Sequence, residues 1–408
     1  MKQNVWILNH YAGPPEICGG IRHFEFAKNL IQKGYKVKVF AANSTHKADT
    51  VKLEKNALFS YQIYDDVPFI FIKARNYNNE LKRIFNMIDF SRGLLKASRK
   101  FDNPKPDVIL ASSVHPLTWL SGLKLAKRYK AEFIAETRDL WPATLISMEQ
   151  FGEKSIPAKI LYAIEKKIYT KADKLIFTIP GGKDYLKDKN INRKNVFYIN
   201  NGVNLESFQK NINENQYKDP DLYKKDTFKV IYTGAISKFN GLLHLAETAK
   251  LIQNNPNKKI TFLIWGDGTE KEKLRKKIKT EKIKNMIIKD NVEKKYIPSI
   301  LNQGDANLLL GIDIEINKYG ISPNKLFDYF AAGKPVISNK RVGYDIIEKY
   351  NAGITVKDQS IKRLANSIIE VSELKEQEYG QYCNNSKKAA LEFDFKELTD
   401  KLISVIEL

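Results

Sequence analysis

A chain of 408 residues, 43% of them hydrophobic, is long enough for two domains with a core each and too apolar to stay disordered. Its 68 basic residues against 47 acidic ones leave a formal charge of +21, yet only 11 of the 68 are arginine. With no aromatic-basic recognition motif either, nucleic acid is not the expected partner, which leaves an anionic membrane surface, where each lysine contributes about 1 kcal/mol, or a lysine-rich coding bias.

Taken in order, Asn4 to Leu8 reads as a short strand, too short an apolar run for a signal peptide. Nowhere does the sequence hold the ~18 to 20 apolar residues of a membrane helix, so a cytosolic location is expected. Cys18 and Cys383 stand far apart without C-x-x-C spacing and read as small, mostly buried side chains rather than a disulfide or zinc site. A loop containing Gly19-Gly20 precedes a helix from Ile21 to Gln32 that stops at Gly34. Strand, glycine turn and helix is an arrangement that cradles phosphate, but the spacing matches neither G-x-G-x-x-G nor a Walker loop, so an ordinary tight turn is the alternative.

Lys36 to Ala41, Asp107 to Ala111, Ala131 to Glu136, Lys174 to Ile179 and Val196 to Asn200 read as further strands, with a helix over Pro116 to Tyr129. This is the alternation of a doubly wound sheet, whose functional groups gather at the carboxyl ends of strands. His115 lies just past one such end, and Glu136, Arg138 and Asp139 at another. Between them, Glu80 to Phe101 carries Leu81, Ile84, Phe85, Ile88, Leu94 and Leu95 among Lys82, Arg83, Arg92, Lys96, Arg99 and Lys100. The pattern predicts a basic amphipathic helix, interrupted at Gly93, that either rests on a membrane or packs on the sheet. Lys166, Lys167, Lys171 and Lys174 form a second basic group.

Asn201-Gly202 favours a turn, and polar, patternless Gln209 to Asp226 reads as a linker. Its Asp219-Pro220-Asp221 is a literal D-x-D, but with no strand before it a metal motif is not expected. The second half restarts with a strand, Phe228 to Thr233, then Gly234, Lys238 and a helix outlined by Leu242, Leu243, Leu245, Ala246 and Ala249. Ile260 to Trp265 with Gly266 repeats the strand-turn pattern, and Ile287 to Val292 leads into a loop.

The chain is organised around Tyr319 to Asn339. Ser322 as N-cap and Pro323 in the first turn open a helix whose stripe is Leu326, Phe327, Phe330 and Ala331; Gly333 and Pro335 stop it before a strand at Val336 to Ser338. The helix start offers backbone N–H groups and positive dipole, and Lys325 adds a charge, which makes an anion site. Asp328 is placed to reach a sugar hydroxyl, and phosphate beside ribose suggests a nucleotide. The alternative is an ordinary helix with Lys325 and Asp328 as a solvated pair.

The order P-N-K-L-F-D-Y-F-A-A-G-K-P from Pro323 resembles the donor segment of glycosyltransferase family four, retaining enzymes of the GT-B fold. More narrowly, it and the phrase ETRDLWP from Glu136 resemble the bacterial capsule and O-antigen subgroup that includes L-fucosamine transferases. The resemblance implies an α/β, GT-B architecture: two Rossmann-like, doubly wound domains facing a central cleft. Residues 1–204 would bind acceptor, 205–226 would be the linker, 227–388 would bind the nucleotide sugar, and 389–408 would form a helix crossing back to the first domain.

By the same match Lys325 would bind the diphosphate and Asp328 the ribose, with Ser322, Pro323, Asn324, Leu326, Gly234, Lys238 and Gly266 lining the donor site. Gly19 and Gly20 would let the backbone approach the donor phosphate, and Asn291 and Val292 would contact the base. Arg138 and Asp139 would serve the acceptor side, with His115 as a lining or capping group. Asn200-Asn201-Gly202-Val203-Asn204 resembles the P-N-G-V-D signature at the domain junction, with asparagine for proline. Ala235 and Asn240 stand where the family has an arginine and a lysine that grip the diphosphate, so Lys238 and Lys325 would carry that charge. Gly320 stands where the family has a glutamate near the transferred sugar, a contact then expected from backbone around Gly320 to Ser322.

The expected activity is transfer of a sugar, an N-acetylated amino sugar such as L-FucNAc, from a UDP-sugar to a lipid-linked, undecaprenyl-type acceptor at the inner face of the cell membrane. The departing phosphate would help deprotonate the acceptor, with no metal, no cofactor and no nucleic acid. Two alternatives remain open: a UDP-sugar epimerase of the same fold, for which no acid-base constellation is visible, and a non-catalytic basic scaffold on membrane or nucleic acid.

Overall fold

The computed structural model describes residues 2–17, 20–45, 48–49, 51–113, 115–255 and 259–408; Cys18 and Gly19 lie outside them. The chain divides into two compact units, Met1–Asn200 with Phe395–Leu408, and Asn201–Asp394.

The first unit is built on eight strands: β1 Asn4–Leu8, β2 Lys36–Ala42, β3 Phe59–Tyr64, β4 Val67–Ile72, β5 Val108–Ser112, β6 Glu132–Thr137, β7 Lys174–Phe177 and β8 Val196–Tyr198. Their order across the sheet is β8-β7-β6-β5-β1-β2-β4-β3, all parallel except the edge strand β3, which pairs antiparallel with β4. Continuous apolar runs such as Val-Ile-Leu-Ala in β5 are buried along their whole length, as strands covered on both faces must be. The β3–β4 hairpin has no counterpart in the sequence reading. Its two-residue turn, Asp65-Asp66, has φ of 44° and 65°, the left-handed pair that a tight hairpin needs and that aspartate tolerates.

Helix α1, Arg22–Gln32, covers the sheet with Phe24, Phe26, Ala27 and Leu30. Helix α2 spans Glu80–Ala97 without a break at Gly93, contrary to expectation. A Cβ at Gly93 would lie 2.5 Å from Ile72, so the glycine marks a close helix-to-strand contact rather than an interruption. Helix α3, Pro116–Tyr129, packs against both α2 and helix α4, Ile156–Lys171. Lys174 leaves the expected basic group: its ammonium is buried, 2.8 Å from Glu132 and donating to the carbonyl of Val405 at 2.7 Å.

The second unit opens with helix α5, Leu205–Glu214, where a linker was expected; the Asn204 side chain caps it by accepting from the Ser207 amide. Its six strands, β9 Phe228–Thr233, β10 Ile260–Trp265, β11 Met286–Lys289, β12 Ala306–Leu309, β13 Val336–Ser338 and β14 Gly353–Thr355, are all parallel, in the order β11-β10-β9-β12-β13-β14. Strand β11 stops at Lys289. There the ammonium pairs with Asp219 and Asp221 at 2.7 and 2.6 Å, which gives the D-x-D residues a structural role. Helix α6, Leu242–Gln253, packs on the core of this sheet. The boundary expected at residue 388 falls inside helix α7, Glu376–Glu392, and the chain leaves the second unit only after Asp394.

The last helix, α8, Phe395–Glu407, belongs to the first unit: Phe395 meets Phe26 edge-on at 5.8 Å, and Leu398, Leu402, Val405 and Ile406 fill the core beside α1. Phe395→Ala should therefore lower the stability of the first unit by roughly 3 to 5 kcal/mol. Urea unfolding followed by fluorescence in a Trp265→Phe background, which leaves only Trp6, Trp119 and Trp141 of that unit to report, would show no shift if α8 were merely draped on the surface.

Candidate active site

The sheet of the second unit reverses its strand order between β9 and β12, and an open parallel sheet admits ligands at such a point, beyond the carboxyl ends of its strands. Glycines end both strands. A Cβ at Gly234, after β9, would lie 2.6 Å from Lys325 Nζ, and one at Gly311, after β12, would lie 2.8 Å from Lys340 Nζ. Each glycine thus leaves room for an ammonium. A Cβ at Gly266 would lie 1.9 Å from the Gly234 carbonyl oxygen, so the turns after β9 and β10 meet backbone to backbone.

The helix spanning Asn324–Ala331 carries the first of these lysines. Tyr329 hydroxyl accepts from the Thr233 amide at 3.1 Å, which ties the helix to the end of β9. Lys325 Nζ donates to the Tyr232 hydroxyl at 2.9 Å and stands 4.1 Å from the centre of that ring, while the Tyr232 hydroxyl donates to the Ala235 carbonyl at 2.7 Å. Among the described residues no carboxylate lies within ion-pair range of Lys325 or Lys340. Burial, with the charge of Lys340 added, brings the Lys325 ammonium down to about 7; burial also lowers Lys340. Asp328, half-buried one turn on, is pushed up to about 6 by burial, against the pull of Lys294. Two cations without a counter-charge, in surroundings that disfavour charge, are fitted to receive an anion.

The helix begins one residue later than expected. Pro323 takes the N-cap place in extended conformation, and no side chain caps the helix. Ser322 is not the cap: its hydroxyl accepts from the Asn201 amide at 3.0 Å and its carbonyl from the Asn201 side chain at 2.7 Å. The proline ring restrains φ but leaves ψ free to stay extended, which turns Ser322 away from the first helical amides. Leu326 is a core residue, 1% exposed, and offers no side chain to a ligand. Lys238 stands exposed on the turn after β9; Asn291 is exposed and Val292 half-buried in the loop after β11. Tyr232, Gly311 and Lys340 were missed in the sequence, although all sit at strand ends, the places where such sheets gather function.

In the first unit the strand order reverses between β1 and β5. Glu136, fully buried at the end of β6, accepts from Arg22 at 3.0 and 2.6 Å, from Ser112 at 2.6 Å and meets His23 at 3.2 Å. Burial alone would raise this carboxyl, but the Arg22 charge and these bonds hold it well below the usual range, so it acts as a structural hub. Arg22 also donates to the carbonyls of Ile199, at 2.9 Å, and Asn200. Arg138 and Asp139 form no ion pair with each other or with other described residues; Arg138 Nε is buried without a hydrogen-bond partner, and Asp139 is exposed.

His115 occupies the N-cap place of α3, but its side chain caps nothing and neither ring nitrogen has a hydrogen-bond partner. It is 1% exposed and packed edge-on against His10 at 4.9 Å, so it does not line an open surface. Burial, then the neighbouring His10 and Arg83, hold its pKa well below the ordinary value. His10 Nε2 donates to Asn86 at 2.7 Å, and burial lowers this ring to about 3. Both imidazoles are neutral near pH 7. A Cβ at Gly20 would meet nothing within 4 Å. Among the described residues no three His, Cys, Asp or Glu side chains converge as metal ligands, and no helix is long and apolar enough to cross a membrane.

Two doubly wound α/β units of this topology define a GT-B architecture, and the family comparisons agree with it. Residues 20–207 match the model of Glycosyltransferase Family 4, and residues 227–373 that of Glycosyl transferases group 1. The chain is a glycosyltransferase of the GT-B fold. It is 21% identical over 407 residues to an uncharacterized glycosyltransferase of Methanocaldococcus jannaschii, covering 96% of each chain. It is 23% identical over 344 residues to the probable glycosyltransferase WbjE of Pseudomonas aeruginosa, covering 78% of this chain and 81% of that one. Among solved structures, sucrose-phosphate synthase of Thermosynechococcus elongatus superposes with a TM-score of 0.73 at 16% identity, covering 99% of this chain and 98% of that one. Anabaena HepE, in complex with UDP and glucose, superposes with a TM-score of 0.69 at 13% identity, covering 99% of each.

Lys325 has a stability signature of its own. Its pKa near 7 in the folded chain lies below the ordinary 10.5, so between these values the unfolded chain binds more protons and stability rises with pH. Lys325→Met should raise the thermal midpoint at pH 7, with the gain shrinking toward pH 10. A pH-independent difference in midpoint would show that the ammonium is not the strained group.

Proposed function

We propose that this glycosyltransferase draws its sugar from a nucleoside diphosphate sugar, a UDP-sugar first, bound by the second unit, and passes it to a lipid-linked acceptor recognised by the first. The observation that carries the reading is the Lys325 ammonium, which has no carboxylate partner among the described residues and stands at an uncapped helix start with the Asp328 carboxyl one turn on. Phosphate oxygens suit the first, and ribose hydroxyls suit a carboxylate that is ionised above pH 6 or so. As the bond from the sugar to the diphosphate breaks, negative charge grows on the departing oxygen, and a fixed ammonium with aligned helix amides stabilises it where it forms. The bound UDP named for Anabaena HepE supports uridine as the base. No metal is assigned to this step.

For the acceptor, the first unit offers Arg138 and Asp139, not paired with each other, at the end of β6. Helix α2 offers an anchor. Its Met87, Phe90 and Leu94 face the core, while Leu81, Ile84 and Phe85 are 72%, 51% and 49% exposed beside Lys82 and Arg83. An apolar stripe with basic flanks is suited to an anionic bilayer, where a lipid-linked acceptor resides, so we place the enzyme peripherally on the inner face of the membrane. Retention, an N-acetylated amino sugar such as L-FucNAc, and a role in capsule or O-antigen synthesis rest on the resemblance of residues 323–335 and 136–142 to L-fucosamine transferases.

Calorimetric titration of UDP, GDP and ADP with a chelator present, beside Lys325→Ala, tests the donor assignment. UDP should bind selectively, and the variant should lose at least tenfold. No nucleotide binding by the folded protein would refute it, whereas GDP or ADP binding would change the donor class. Replacing Leu81, Ile84 and Phe85 together by serine should abolish flotation with phosphatidylglycerol vesicles while leaving UDP binding intact; retained flotation would remove α2 from the membrane.

A further inference from the structure

Lys340 lies two residues beyond β13, and the backbone around it is held in place. Asn339 Oδ1 accepts from the Gly311 amide at 3.0 Å, Gln359 Nε2 donates to the Asn339 carbonyl, and the Lys340 amide donates to Ser338 Oγ at 3.1 Å. From this anchored turn the side chain reaches back over Gly311, where a Cβ would meet its Cε and Nζ at 2.8 Å. The half-buried ammonium has no ion pair or hydrogen bond to any described residue.

Strand β12 is hydrogen-bonded to both β9 and β13, and neighbouring strands run about 4.8 Å apart. The ammonium over Gly311 therefore stands one strand away from the Lys325 ammonium over Gly234. Two like charges at neighbouring strand ends repel, and neither has a carboxylate to offset it. A single phosphate needs only one of them. A diphosphate presents anionic oxygens on two linked phosphorus centres and matches both.

We propose that Lys340 is the second diphosphate-binding residue of the donor site, and that the pair Lys325 and Lys340 makes the site select a nucleoside diphosphate over a monophosphate. The assignment rests on the nucleotide-sugar reading above and adds a residue and a selectivity to it. Lys325 takes one phosphate at the helix start and Lys340 takes the other from the far side of Gly311.

Wild type, Lys340→Gln and Lys340→Arg should be titrated with UDP, UMP and uridine, after thermal unfolding has shown that all three fold alike. Wild type should prefer UDP. Lys340→Gln should weaken UDP roughly ten- to a hundredfold, the loss of one charge-assisted contact, and change UMP less than threefold, while Lys340→Arg restores most of the preference. Proton uptake gives a second readout. Besides Lys340, the group that faces Lys325 is Tyr232, whose hydroxyl accepts its hydrogen bond. UDP binding near pH 7.5 should draw a proton onto Lys325, seen as different enthalpies in Tris and HEPES, and the difference should shrink in Lys340→Gln, where burial alone still lowers Lys325 but the repulsion from Lys340 is gone. Unchanged UDP affinity in Lys340→Gln, or equal losses for UDP and UMP, overturns the assignment. Failure of wild type to bind any of the three overturns the donor reading and this assignment with it.

Discussion

A cation held where nothing neutralises it governs the second unit. Lys325 is fixed by its bond to Tyr232, by the clearance over Gly234 and by the clamp of Tyr329 on Thr233. None of these contacts supplies negative charge, so the folded chain bears the desolvation of an ammonium that has a hydroxyl but, among the described residues, no carboxylate beside it. Such an arrangement is unfavourable for stability and becomes favourable only when an anion arrives. The same constraint accounts for the small residues around it. Gly234, Gly266 and Gly311 keep backbone and ammonium in contact where any Cβ would intrude.

The first unit resolves its buried charge in the opposite way. Arg22 and Glu136 are both buried, yet every part of the pair is engaged, by Ser112, by His23 and by the carbonyls of Ile199 and Asn200. Breaking such a pair by removing one partner costs roughly 3 to 5 kcal/mol, because the other charge is left buried and alone. Its effect is to lock α1 to the ends of β6 and β8, the last strand of the unit. Other buried polar atoms of the unit lack a hydrogen-bond partner, among them those of the His115 ring, His10 Nδ1 and Arg138 Nε.

The large positive charge divides in a comparable manner. Lys174 and Lys289 are consumed by Glu132, Asp219 and Asp221 within the fold, and Lys325 and Lys340 lie over Gly234 and Gly311 with no carboxylate in ion-pair range among the described residues. Lys82 and Arg83 flank the exposed stripe of α2. Net charge alone assigned none of these roles, since charge in a sequence carries no address.

By itself the sequence determined that the chain folds as doubly wound α/β units, because fully buried parallel strands demand apolar runs, and residues 5–8, 230–232, 262–265 and 336–337 are such runs. It also marked Lys325 and Asp328, since both follow a local signal, the start of a helix with a stripe at helical spacing. It misplaced what depends on partners distant in the chain. Ser322 reads as a cap until Asn201 claims its hydroxyl, Gly93 reads as a break until Ile72 packs on it, and Leu205–Glu214 reads as linker until it packs as a helix in the second unit. Lys340 was invisible for the same reason. Only the pairing of β12 with both β9 and β13, contacts between segments dozens of residues apart, brings its ammonium beside that of Lys325.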